Sequence, residues 1–118
     1  MQTDEIRSEK WVQFCQEMTD LNEGALLTIE SLEPSGGTRQ ILKDVPLKKL
    51  ILDKSGVCND ILNIQTNVTA GQKPEDHFII EPIHLRIRNE ANNRKVLEIE
   101  AESGITRVRF KPANFPNL

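Results

Sequence analysis

The chain has 118 residues and a formal charge of −3 at pH 7, a length that suits one compact domain, because either half alone would be too small to hold its own core. Leu, Ile, Val and Phe make up about 29% of it, above the roughly 20% below which disorder prevails, and no apolar run nears the roughly 20 residues of a bilayer span. The acidic balance speaks against a constitutive nucleic-acid binder, which needs a basic surface to neutralise phosphate.

The first ten residues, MQTDEIRSEK, lack the basic start and apolar stretch of a signal peptide, so a cytoplasmic location with no membrane association is expected. Ser8 offers an N-cap, and Trp11, Phe14, Cys15, Met18 and Leu21 follow at helical spacing, which predicts an amphipathic helix over about 8–21. Asn22-Glu23-Gly24 supplies the stop. From Ala25 the period changes to two, with strands expected at 25–32, 38–44, 47–53, 60–68, 77–88, 95–102 and 105–111. Pro82 should split the fifth of these into 77–81 and 83–88, because proline cannot donate to a ladder. The tail, 112–118, contains two prolines and reads as irregular. Residues 1–118 thus read as a single α+β domain, an N-terminal helix packed on a curled, mostly antiparallel sheet of about six or seven strands, barrel-like in form.

The last strands can be set in register by hand. A two-residue turn at Ser103-Gly104 places residues whose numbers sum to 207 opposite each other, pairing Glu100 with Arg107 and Glu98 with Arg109. Across the preceding hairpin a sum of 184 keeps the apolar faces aligned, setting His84 opposite Glu100, Arg86 opposite Glu98 and Arg88 opposite Val96. A three-strand charge ladder results, in which Arg88 alone faces no acid and is the guanidinium freest to meet an outside partner. Charge along the chain is uneven in the same sense. Residues 1–40 hold three bases against eight acids, and residues 81–118 hold seven bases against five acids.

Chemistry is harder to find. Cys15, Cys58, His77 and His84 lack the paired short spacings of a zinc site, so neither metal nor other cofactor is expected. Cys15 belongs to the helix core. Cys58, in a turn, has no base positioned to activate it. Arg86, Arg88, Arg107 and Arg109 alternate along strands without interleaved aromatics, and tyrosine is absent, which removes the stacking platform of a single-strand binder. Gly36-Gly37-Thr38-Arg39 lacks the Lys-Ser/Thr and the following helix of a phosphate loop. No catalytic residues are assigned.

Ile6-Arg7 with Trp11 and Phe14, Pro46-Leu47, Leu52-Asp53, His77-x-Ile79-x-x-Pro82-Ile83, Leu97-x-Ile99 and Gly104 to Phe110 resemble, in order and spacing, a small bacterial family known only as domain of unknown function five-three-three-five. The resemblance spans about residues 5 to 111. It implies a stand-alone bacterial cytoplasmic protein and assigns no activity, cofactor or catalytic residue. His77 is the polar exception among its shared positions.

Two functional readings follow. The first is a non-enzymatic interaction module, self-associating or binding a protein with an acidic surface, with His77, His84, Arg86, Arg88, Arg107 and Arg109 as candidate binding residues. The second is a small-molecule binder or enzyme with a pocket at the rim of the curled sheet, using His77, His84 or Cys58.

Overall fold

Residues 3–54, 60–67, 76–91 and 94–116 are described by the computed structural model of the chain; Cys58 lies outside them. Ser8 does not cap the helix. It opens a 3-10 turn, Ser8–Lys10, and the α-helix α1 begins at Trp11 and runs to Asn22, with no side-chain cap from Arg7 or Lys10. Trp11, Phe14, Cys15 and Met18 are buried as their spacing demands, but Leu21 is 46% exposed and Asn22 takes the last buried position. The 11-14-15-18-22 stripe follows the 3.6-residue period, which carries position 21 off the core face. Gly24, at φ 83°, ends the helix in the left-handed region that glycine enters freely.

Among the described residues eight strands form one sheet: β1 (Thr3–Ile6), β2 (Leu26–Leu32), β3 (Thr38–Asp53), β4 (Ile61–Thr66), β5 (His77–Ile80), β6 (His84–Glu90), β7 (Arg94–Ala101) and β8 (Gly104–Lys111). Their order is β1-β6-β7-β8-β2-β3-β4-β5 and every pairing is antiparallel. The sheet is open, with β1 and β5 as its edges, where the sequence suggested a barrel-like form of six or seven strands. The added strand is β1, whose only buried residue is Ile6, so periodicity gave it no signal. Strands expected at 38–44 and 47–53 merge into β3, which changes partner at Pro46: Thr38 to Pro46 pair with β2 and Leu47 to Asp53 with β4. Register shifts against β2 and Asp44 at φ 51° turn the strand through this corner. Pro46 has no amide to place, while its carbonyl accepts the Asn67 amide at 2.9 Å. Pro82 separates β5 from β6 as expected.

α1 lies against β3, where Thr19 Oγ1 accepts the Leu50 amide at 2.9 Å. Trp11 donates its indole N–H to the Ile6 carbonyl at 2.8 Å, which ties the helix start to β1. Met18, Leu27, Ile29, Ile64, Ile99 and Val108 are fully buried between helix and sheet. The Cys15 thiol is free, and burial pushes its pKa up to about 12, so it packs as an inert small hydrophobe. After β8 the chain folds back over the core's end. Asn22 donates to the Asn114 carbonyl at 2.7 Å and accepts the Asn114 amide at 3.0 Å, and Phe115 meets Phe110 edge to face at 6.1 Å. No helix among the described residues is long and apolar enough to cross a membrane.

Candidate functional site

The charged residues singled out in sequence share the face of the sheet opposite the core, because strand alternation places them between the buried positions of β6, β7 and β8. In β6 and β7 the register is the expected one, with His84 opposite Glu100, Arg86 opposite Glu98 and Arg88 opposite Val96. Between β7 and β8 it differs by two: Ala101 pairs with Gly104, the turn is Glu102-Ser103, and Glu98 faces Arg107. Such a slip leaves every side chain on its expected face and changes every partner.

The partners are therefore redistributed around Glu98, whose side chain is only 6% exposed. Arg86 Nη1 reaches Glu98 Oε1 at 3.3 Å, while Arg107 Nε and Arg88 Nη1 lie 3.1 and 3.5 Å from Oε2. Arg88 thus has an acid after all, along the diagonal and not directly across, and it is not the free guanidinium expected. Arg109 misses Glu98; its Nε lies 3.1 Å from Glu30 and its Nη2 3.2 Å from Glu90, while Nη1 is buried without a partner among the described residues. β1 contributes the acid that sequence reasoning missed. Glu5 accepts from Arg86 Nε at 3.3 Å and sits 2.9 Å from His84 Nδ1. The hydrogen bond from His84, with Arg86 adding to it against some desolvation, holds the Glu5 carboxyl below its ordinary range. Every base on this face that the sequence marks as a binding candidate has an acid from the same chain, so the face is a neutralised ladder that fixes strand order.

His77 stands apart from it. It lies opposite Ile64 on the core side of β5, on the same face as buried Ile79, and is half-buried. Burial lowers its pKa from the ordinary 6.5, because desolvation disfavours the charged imidazolium. The two histidines thus occupy opposite faces, and the structure does not bring them into one site.

Outward from His77, β5 shows Phe78 at 57% exposure and Ile80 at 60%. Register extends this patch inward. Phe78 pairs with Asn63 and Asn63 with Ile51, while Ile80 pairs with Ile61. Asn63 interrupts the apolar rows, and its buried Oδ1 has no hydrogen-bond partner among the described residues. The run Phe78-Ile79-Ile80 was the available signal, since a strand apolar on both faces has one more face than the core can take.

A groove of about 1040 Å³ opens where β2 and β7 begin and β8 ends. Leu26, Val96, Phe110 and Phe115 supply apolar surface there, joined by Leu21 of α1. Arg94, Lys95, Arg109 and Lys111 line it against two acids, Asp44 and Glu90. Neither histidine reaches it. Among the described residues no cluster of three His, Cys, Asp or Glu side chains could hold a metal ion.

A family model described as a family of unknown function, DUF5335, matches residues 2–117. No curated protein and no solved structure matches the chain.

Proposed function

We propose that this chain, which belongs to the DUF5335 family, is a non-enzymatic interaction module of the bacterial cytoplasm that self-associates through the edge and outer face of β5. The observation that carries this reading is the apolar patch of exposed Phe78, Ile80 and Ile51 with half-buried Ile61, beside a strand edge that has no partner among the described residues. Folded chains hide or blunt such edges, and this one is short but uncharged along its length.

A second copy is the occupant that the strand's own parity favours. In an antiparallel two-fold pair, opposite residues share a face, so residue numbers across the axis must sum to an even value. Centring the axis on Ile79 sets Phe78 of one copy against Ile80 of the other twice, an aromatic to β-branched pair contributing about 0.2–1 kcal/mol each. The charged ladder supports this assignment by elimination, since its bases are already answered within the chain.

Light scattering over a concentration series tests the reading. Wild type should show a dimer that Phe78→Asp dissolves and Arg88→Ala leaves intact. A wild type that stays monomeric at millimolar concentration removes self-association.

A further inference from the structure

The seven bases of residues 81–118 divide in two. Arg86, Arg88 and Arg107 converge on Glu98, and the other four, Arg94, Lys95, Arg109 and Lys111, line the groove at the end of the sheet. Of these four only Arg109 carries acids, Glu30 and Glu90. Arg94, Lys95 and Lys111 are exposed and have no ion pair among the described residues. Three like charges gathered without an ion pair of their own repel one another, and they concentrate positive potential over a concave surface in a protein that is acidic as a whole.

The apolar side of the same groove is also incomplete. Leu21 is 46% and Leu26 37% exposed, two of the large aliphatic side chains that folding leaves in water, and both border this cavity with Phe115. The tail that forms one wall is held by the paired hydrogen bonds between Asn22 and Asn114, so the groove is shaped before anything enters it. Its volume, about 1040 Å³, lies at the top of the range of small-molecule sites.

We propose that this groove binds a small amphipathic carboxylate, with its apolar body on Leu21, Leu26 and Phe115 and its carboxylate among Arg94, Lys95 and Lys111. An inorganic anion would leave the leucines solvated, and a neutral apolar molecule would leave the cations unanswered. With Glu30, which pairs with Arg109 beside the groove, the four bases stand against three acids, a net of one positive charge, which suits a monoanion. Arg109 is committed to Glu30 and Glu90 and holds the wall in place. This site is separate from the β5 surface and does not depend on self-association.

Titration of 15N-labelled protein with octanoate, octanol and acetate, followed by amide chemical shifts, tests the assignment. Octanoate should give saturable shifts confined to residues around 21, 26, 94–96 and 109–115, and octanol and acetate should bind at least about tenfold more weakly, because each lacks one half of the recognition. Arg94→Glu with Lys111→Glu should raise the octanoate Kd by about tenfold with the rest of the spectrum unchanged, and 0.5 M salt should weaken wild-type binding in the same direction. Leu26→Gln, an exposed position, should weaken octanoate while leaving the salt dependence in place. Absence of saturable octanoate shifts, equal binding of octanol, or an unchanged Kd in the charge-reversed variant overturns the proposal. If that double variant does not fold, Lys111→Gln alone decides the same question.

Discussion

Glu98 faces Arg107 across the β7/β8 ladder at 3.1 Å, with the carboxylate almost wholly out of water and Arg86 and Arg88 drawn to the same group. The anion is shared by three guanidiniums, so its loss leaves three partly desolvated cations facing one another. Glu98→Gln is expected to cost about 3 kcal/mol, the lower end for breaking a buried pair because the arginines keep some contact with water. Glu100→Gln, at a more exposed carboxylate with Arg86 alone at 3.0 Å, should cost less than about 1 kcal/mol. Urea denaturation midpoints rank the two; equal midpoints would refute the convergence on Glu98.

The arginines around that carboxylate should not be equivalent. Arg107 is about a fifth exposed and approaches Glu98 at 3.1 Å, whereas Arg88 is about a third exposed and approaches at 3.5 Å. Arg107→Ala should therefore lower stability by about 1–2 kcal/mol, and Arg88→Ala should stay within about 0.5 kcal/mol. Thermal melts at low and high salt provide the comparison, with the Arg88→Ala difference vanishing at high salt.

At the other end of the core, Asn22 donates to the carbonyls of Met18 and Asn114 and accepts the Asn114 amide. The side chain copies a backbone strand partner for the tail, with its amide nitrogen as donor and its amide oxygen as acceptor. Asn22→Ala should cost about 2–3 kcal/mol and speed hydrogen exchange of the Asn114 amide. Asn22→Asp keeps the acceptor but sets a carboxylate against two carbonyls, and should be no better. Unchanged exchange at Asn114 would show that the tail is held by Phe115 alone.

The faces of the strands were legible in the sequence and the partners were not, for a physical reason. Apolar parity distinguishes a slip of one residue, which would put Leu97 and Ile99 in water, but is blind to a slip of two. The choice between Ser103-Gly104 and Glu102-Ser103 as the turn therefore decided whether Arg107 met Glu100 or Glu98. β1 was invisible because Thr3, Asp4 and Glu5 are exposed and Ile6 alone is buried, so the strand shows no apolar alternation. Pro46 looked like a break because its missing amide argues against a strand, yet it sits where β3 leaves β2 for β4. The charged face was readable as a set of residues; the groove was not, since Leu26, Arg94 and Lys111 meet only through the sheet order and the returning tail.

His77 sets a pH dependence whose sign follows from its burial. The folded pKa lies below 6.5, so the unfolded chain binds the extra proton first as pH falls. Stability from this group is fully present above about pH 7 and is lost as pH drops from about 6.5 toward the folded value. His77→Phe, which keeps an aromatic ring on the core side, should flatten this part of the curve. Denaturant midpoints for wild type and variant between about pH 7.5 and 5.5 measure the difference, and parallel curves would mean that the imidazole is solvated when folded.

Gly104 is where the turn chemistry of the last hairpin can be tested on the backbone itself. It opens β8 opposite Ala101 at φ 134°, a region that an L side chain rarely enters. A Cβ there would lie 2.7 Å from the Leu32 carbonyl oxygen of the neighbouring strand, and that oxygen cannot give way without moving β2. Strain and overlap act together, so Gly104→Ala should cost well over about 1 kcal/mol, the reverse of the gain that alanine brings where the backbone already suits it. Gly37, in the turn before β3, has no positive φ, and a Cβ added to it would meet no atom within 4 Å. Gly37→Ala should therefore be neutral or stabilise by about 0.4–1 kcal/mol through the unfolded chain. The two substitutions remove the same flexibility from the unfolded state, and their difference in melting temperature isolates the native clash. Equal melting temperatures would mean that residue 104 carries neither the left-handed strain nor the close approach to the Leu32 carbonyl.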